Sequence, residues 1–290
     1  MRNLEIVILT GISVMVLSLA ILLLYPLKTD FMVGNDLWNG IATFNSKYGA
    51  KWIDSVQDIP EPEGKALIVI PYLEYEEWEL ERMRDFLLGG GKLIILDDMG
   101  YGNQILEFIG ANARFTHYPL LDPLFCSKNK FFPKILNFAK GFEDIRNITL
   151  NHPTSIEGEG KILALSSPES FLDINGNGEE DDEPRGPFIV ACELPIGGGL
   201  VLISDPSIII NSMLERDDNH LFLSKIVGGR EVVVDISHIE KKRVDVAKLK
   251  LLEFREFIKR PYIIILILFA LFLSIGRYVL WRGRKSSGRG

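Results

Sequence analysis

Thiols and imidazoles are scarce in this chain, which has 2 cysteines and 4 histidines among 290 residues. Cys126 and Cys192 form no CxxC pair, which argues against a zinc ribbon or a thioredoxin-type redox site. Outside a cell a single disulfide between them is chemically allowed. The apolar setting of Cys192 within Phe188 to Leu194 favours two buried free thiols instead. His117, His152, His220 and His238 are scattered, no HExxH occurs, and each reads as a packed or surface residue. GxSxG and its cysteine equivalent are missing, and with them the small neighbours that permit a strained nucleophile elbow. GxGxxG is missing too, so no dinucleotide fingerprint is present.

Positive charge is short in the middle of the chain. The formal net charge is -7, Arg2 and Glu5 cancel at the start, and Arg277, Arg282, Arg284, Lys285 and Arg289 crowd the end without an acid. The intervening segment is therefore more acidic than the whole. It carries no basic aromatic patch, which excludes a nucleic-acid partner on electrostatic grounds.

Long apolar runs are present at both ends. Ile6 to Leu24 contains no charge, and Pro261 to Trp281 is interrupted only by Arg277. Each matches the roughly 20 residues that cross a bilayer as a helix. The first reads as an uncleaved anchor in preference to a signal peptide, because Leu22 to Tyr25 is bulky and Pro26 follows. The basic tail places the C-terminus in the cytoplasm. The expected organisation is a span over 1–27, an extracytoplasmic α/β domain over 28–244, a juxtamembrane helix running into a second span over 245–281, and a cytoplasmic tail over 282–290. Both termini then lie inside, and the membrane is the first partner.

The centre of the chain is GGGKLIILDDMGYGNQILEFIG, Gly89 to Gly110. A glycine triplet ends a helix, Leu93 to Leu96 reads as a fully buried parallel strand, and Asp97 and Asp98 stand at its carboxyl end. Helix, strand, loop and helix in that order form the unit of a doubly wound α/β domain with a mostly parallel sheet, whose ligands bind beyond the strand carboxyl ends. Further helices are expected at Asp36 to Tyr48 with Asn35 as N-cap, Glu76 to Leu88, Gln104 to Ile109, Ile208 to Val227 with Asp217 and Asp218 as a candidate break, and Asp245 to Lys259. Strands are expected at Lys51 to Val56, Ala66 to Ile70, Ile148 to Leu150, Ile162 to Leu165, Phe188 to Leu194, Leu200 to Ile203 and Glu231 to Ile236. The short join Pro195 to Gly199 fits an antiparallel hairpin. Aromatics and prolines over Asn112 to Leu150 suggest an insertion covering the sheet edge or a pocket mouth.

Three stretches are candidate sites. In FLDINGNGEEDDEP, Asp173, Asn175, Asn177 and Asp181 fall at loop positions one, three, five and nine, with Gly178 at six and Glu179 completing the candidate metal set. Alternate oxygens at this spacing wrap calcium, although position twelve is Pro184, with Asp182 and Glu183 just before it, and the flanking helices are missing; the plain alternative is a solvated acidic turn. The loop Asp97, Asp98, Met99, Gly100, Tyr101, Gly102, Asn103 can converge N–H groups on an anion, or can be a turn that Asp98 caps. Ser204, Asp205, Ser207 and Asn211 follow another buried strand and would share a crevice with Asp97 in a parallel sheet.

Together GGGKLIILDDMGYGN, SSPESFLDINGNGEEDDEPRGPFIVACEL and GGGLVLISDPSIIINSMLERDDN resemble an uncharacterised archaeal and bacterial family of two-span membrane proteins. The soluble part of that family is similar to class I glutamine amidotransferase domains, with a flavodoxin-like sheet. The resemblance covers most of Gly34 to Ile236 and the flanking runs. Active amidotransferases carry a cysteine in the elbow after a central strand, partnered by a later histidine. Asp97, Asp98, Met99 and Gly100 stand at the comparable strand end, so the resemblance implies a domain without that activity. Family members are often encoded beside a MoxR-type ATPase and a von Willebrand-like protein, which implies protein partners in a membrane complex. The expected function is an anchored binding or assembly module. The alternative is a metal-dependent hydrolase or transferase using Asp97, Asp98 and Asp205.

Overall fold

A computed structural model of the protein describes residues 2–262 together with Ile265, Leu273 and Arg277. The chain divides into two compact units, Pro26–Lys241 and the pair Met1–Tyr25 with Lys242–Gly290. In the second unit, helix α1 (Arg2–Leu24) contains Ile6–Leu24, the one stretch among the described residues long and apolar enough to cross a membrane. Its apolar side chains are exposed, Val7 and Leu24 among them, which suits a membrane span or a signal sequence.

The larger unit begins with α2 (Ala42–Tyr48), ended by Gly49 in the left-handed region at φ 57. Strands β1 (Lys51–Ile53) and β2 (Lys65–Val69) follow. Helix α3 (Glu77–Leu88) starts at a capping box, in which the Glu76 N–H donates to Glu79 Oε2 at 2.8 Å, and it buries Leu80, Met83, Phe86 and Leu87 on one stripe. Strand β3 (Lys92–Leu96) leads to α4 (Gly102–Ile109), which Gly110 ends at φ 76. Short strands β4 (Ala113–Phe115), β5 (Leu120–Leu121), β6 (Lys134–Ile135), β7 (Asn137–Phe138) and β8 (Ile148–Thr149) make up the insertion. Next come β9 (Ile156–Gly158), β10 (Lys161–Leu165), β11 (Phe171–Leu172), β12 (Ile189–Leu194) and β13 (Leu200–Ile203). Helix α5 (Asn219–Val227) and β14 (Glu231–Asp235) complete the unit, and α6 (Arg243–Ile258) belongs to the other.

The main sheet runs β1-β14-β2-β3-β13-β12-β10-β7, and the strands from β1 to β13 in that order pair in parallel. From β13 onward pairing is antiparallel, beginning with the expected hairpin to β12. Strand β3 sits between β2 and β13, in parallel with both, as its unbroken apolar run requires. Side-chain alternation divides the core into two layers. Ile68, Ile94, Leu96, Ile203 and Val234 pack with Phe44 of α2 and Phe222 of α5 on one face. Leu67, Leu93, Ile95, Leu202 and Val233 pack with α3 and α4 on the other.

Two expectations need correction. The Asp36 to Tyr48 helix is shorter at its start, because Asn35 is not a helix cap. Asn35 is buried and ties a tight loop, accepting from the Leu37 N–H and donating to the Thr29 carbonyl and Asn39 Oδ1. Within that loop a Cβ at Gly40 would stand 1.8 Å from the Asn35 carbonyl oxygen. The Ile208 to Val227 helix is likewise two pieces, a 3-10 turn at Pro206–Ile209 and then α5. The candidate break at Asp217 and Asp218 is present, where Asp217 adopts φ 47 and Asp218 accepts from the Arg146 N–H, but the chain before it is also not α-helical. The second apolar run, Pro261 to Trp281, and the basic tail fall almost wholly outside the described residues.

Candidate functional site

The parallel strands all end at one edge, and acidic side chains collect there: Asp54 after β1, Asp97 and Asp98 after β3, Asp205 after β13, and Asp235 at the end of β14. Strand β3 continues into α4 on one face of the sheet, while β13 continues through Ile208, Ile209 and Met213 toward α5 on the other. Neighbouring parallel strands whose connections leave to opposite faces open a crevice between their carboxyl ends. The register, Leu96 beside Ile203, brings Asp97, Asp98 and Asp205 to that crevice.

Asp97 organises the loop after β3. Its Oδ1 accepts the N–H groups of Met99 at 2.8 Å and Gly100 at 3.0 Å, and its Oδ2 accepts that of Gly102 at 2.6 Å. Close wrapping explains the glycines. Gly100 lies at φ 89, and a Cβ at Gly102 would stand 2.9 Å from Asp97 Oδ2. The N–H groups that sequence reasoning offered to an anion are thus taken by Asp97, and the capping residue is Asp97 and not Asp98.

Asp98 is only partly buried, and its Oδ1 accepts the Tyr72 hydroxyl at 3.3 Å. Burial, aided by the neighbouring Asp97 charge, pushes its carboxyl up to about 7. Asp97 is also raised by burial, which outweighs its N–H donors. Asp205 is raised well above the usual carboxylate range, first by burial and then by the charge of Asp98. The Ser207 N–H donates to Asp205 Oδ1 at 2.7 Å, and the Asn151 N–H, from the insertion, donates to Oδ2 at 2.7 Å. Tyr72 is raised by burial and by the surrounding aspartates. Ser204 Oγ is buried without a partner. Asp97, Asp98 and Asp205 thus form an acidic cluster at the strand ends in which burial disfavours the charged form of each carboxyl.

Two candidate residues have their side chains spent elsewhere. The Asn103 side chain pairs with the main chain of Phe115, donating to its carbonyl at 2.9 Å and accepting its N–H at 2.8 Å. Asn211 accepts the Thr43 N–H and donates to the carbonyls of Asn35 and Leu37, which latches the loop before α2.

Sequence reasoning missed a second cluster at the same edge. Tyr75 stacks on His238 with centroids 3.7 Å apart, His238 Nε2 lies 3.2 Å from Glu79 Oε2, and Ser237 Oγ lies 2.8 Å from His238 Nδ1. Tyr75 Oη and Asp235 Oδ2 are buried without partners. These residues come from two stretches of chain far apart in sequence, 75–79 and 235–238, so no local motif signals them. Both thiols are free. Cys192 is buried in β12, where burial pushes it up to about 12, and Cys126 is half-buried, its main chain paired with Pro133 in an isolated antiparallel bridge.

A cavity of about 720 Å³ lined by Glu159, Lys161, Glu193 and the Pro195 to Gly199 turn lies at the opposite edge, away from these carboxylates. A second, of about 440 Å³, borders the crevice through Asn151 and is walled by Trp38, Lys128, Phe132, His152 and Arg216. Among the described residues no group of three or more His, Cys, Asp or Glu is arranged to hold a metal ion.

The candidate calcium loop draws part of its donor set from asparagine. Asp173 Oδ2 accepts the Gly178 N–H at 3.0 Å, Asn175 Oδ1 accepts that of Asn177, and Asn177 Oδ1 accepts that of Glu179. Asn177 Nδ2 donates to Asp181 Oδ2 at 2.8 Å. The Glu179 carboxylate turns outward to Lys130 at 3.3 Å.

Fold and site define a mixed α/β protein with a large, mostly parallel sheet and a carboxylate-lined crevice at its carboxyl edge. No family model and no curated protein matches the chain. Among solved structures, the mmIFT52 N-terminal domain is similar at 9% identity over 55% of this chain and 76% of that one, with a TM-score of 0.44. The exo-beta-1,4-mannosidase Op5Man5 from Opitutaceae bacterium strain TAV5 is similar at 14% identity over 59% of this chain and 25% of its own, with a TM-score of 0.33. A GH42 beta-galactosidase, Gan42B, is similar at 14% identity over 70% and 28%, with a TM-score of 0.34. This chain thus spans about a quarter of each glycosidase.

Proposed function

We propose that the protein is a membrane-anchored binding module whose amidotransferase-like, flavodoxin-like domain captures a cationic group, ammonium or guanidinium, of a partner segment in the crevice between β3 and β13. The observation that carries this reading is the strand end itself. Where a nucleophile elbow would place its cysteine, Asp97 closes the turn, and beside it stands Asp98, a partly buried carboxyl whose charged form a cation would favour. The domain works outside the cell between two spans, in a membrane complex whose partners include a MoxR-type ATPase system across the bilayer. The acidic middle of the chain and the basic tail support this orientation. In a Cys126→Ser background, a membrane-impermeant maleimide should label Lys140→Cys in intact cells. Labelling only after lysis would reverse the topology.

A cation favours ionised Asp98, so affinity rises with pH through about 7 and levels above it. Full-length protein in nanodiscs should bind the peptide Gly-Lys-Gly about tenfold more tightly at pH 8 than at pH 6. It should bind the Nε-acetylated peptide weakly at both, and Asp98→Asn should remove the pH dependence. Equal binding of the two peptides would overturn the reading.

The same elevation has a stability signature. Its favourable contribution is complete below the unfolded-state value of roughly 4 and is lost as pH climbs through about 7. Asp98→Asn should therefore gain thermal stability relative to the parent protein as pH increases from 4 to 8. A constant difference in Tm across that range would show that Asp98 titrates normally.

A further inference from the structure

We infer that the loop from Asp173 to Glu183 is a divalent-cation site of calcium type, closed by Glu183 instead of a residue at position twelve. Two carboxylate oxygens carry the argument. Asp173 is 5% exposed, its Oδ2 is held inside the loop by the Gly178 N–H, and its Oδ1 is buried without a partner. Glu183 reaches back across the loop, where Oε1 accepts the N–H groups of Ile174 at 2.8 Å and Asn175 at 3.1 Å, while Oε2 is buried without a partner. A buried carboxylate oxygen without a donor costs free energy, and one such oxygen at each end of the same short loop is what a hard cation resolves.

The rest of the loop fits that chemistry. Calcium takes 6–8 oxygens at about 2.4 Å, from carboxylates, amide side chains, carbonyls and water. Asn175 and Asn177 present Oδ1 at alternate positions, and the outward Glu179 side chain leaves its carbonyl as the position-seven donor. Gly178, at φ 73, allows the chain to double back. Glu183 thus stands in for the acid that Pro184 replaces. The ion would also fasten the insertion, since the Asp173 N–H donates to the Pro119 carbonyl and β11 pairs with β5. The claim is independent of the crevice reading.

The test is calorimetry and thermal unfolding of the full-length, EDTA-treated protein in detergent, titrated with calcium chloride. One site with a Kd of about 0.1 to 1 mM, and a Tm that rises with calcium but not with equal magnesium, is expected. Asp173→Asn and Glu183→Gln keep their hydrogen bonds to the loop and should each weaken binding at least tenfold with the circular dichroism spectrum unchanged. Glu180→Gln, whose carboxylate pairs with Arg185, should bind as the parent does. Absence of heat and of any Tm shift up to about 10 mM calcium, tenfold beyond the range for extracellular modules, would overturn the assignment. Binding unaltered by both Asp173→Asn and Glu183→Gln would do the same.

Discussion

Gly198→Ala is expected to be among the most damaging single-methyl additions to the larger unit. The turn between β12 and β13 packs its backbone directly against the turn between α3 and β3. The Gly198 N–H donates to the Leu87 carbonyl at 2.9 Å. A Cβ at Gly198 would stand 2.2 Å from the Gly90 carbonyl oxygen and 2.4 Å from that of Gly91. The clash is with backbone on both counts, so no side chain can rotate away. The cost should reach about 3 kcal/mol, the upper part of the range for overpacking. For a domain of this size that lowers Tm by about 6–12 °C. Gly90→Ala is the control. Gly90 has φ 98 and nothing within 4 Å of a new Cβ, so only conformational strain of about 1–2 kcal/mol applies. Thermal denaturation of the two variants side by side decides the matter. If Gly198→Ala melts no lower than Gly90→Ala, the two glycine turns are not packed as described.

Asp97→Ala should come close to it, for a different reason. The substitution strips acceptors from three main-chain N–H groups at once. Met99 and Gly100 can turn to water, but Gly102 is buried at the start of α4 and cannot. An orphaned buried donor costs about 1–3 kcal/mol, and the loss of order in the loop adds to it. A total of about 2–4 kcal/mol follows, read as a shift of the urea midpoint with an unchanged slope. Asp97→Asn retains one acceptor oxygen and should recover part of the loss. The contrast with Asp98→Asn is informative, because Asp98 caps nothing and its replacement should leave the midpoint at pH 5 nearly where it was. Equal destabilisation by Asp97→Ala and Asp98→Ala at that pH would mean that the two aspartates have been given the wrong roles.

The regular elements were legible wherever a local pattern sufficed. The unbroken run Leu93 to Leu96 needs both faces covered, and it lies between two parallel neighbours. Leu80, Met83 and Leu87 recur at helical spacing and face one core. Gly49, Gly110 and Gly228 follow helices and adopt the left-handed conformation that ends them. Failures came where a side chain reached far along the sequence. Asn35 resembles a helix cap, but its contacts with Thr29 and Asn39 and the Asn211 latch on its carbonyl hold a loop instead. Asn103 looked available to a ligand until β4 arrived beside it with unpaired main-chain groups. Asp182 and Glu183 both precede the vacant position twelve, and spacing alone does not show that it is Glu183 that doubles back across the loop.

Amino-acid order alone settled the alternation of buried strands and amphipathic helices, the acidic character of the middle, and the apolar stretch that α1 forms. These are properties of neighbours in sequence, governed by hydrophobic period and charge. Only the folded arrangement decided which aspartate caps and which is left to titrate, since that depends on N–H groups presented by a loop and on burial by distant strands. It likewise placed Tyr72 over Asp98 and joined Tyr75, Glu79 and His238 at one edge. Proton affinity and hydrogen-bond satisfaction are set by three-dimensional surroundings, and no single segment of the chain contains them.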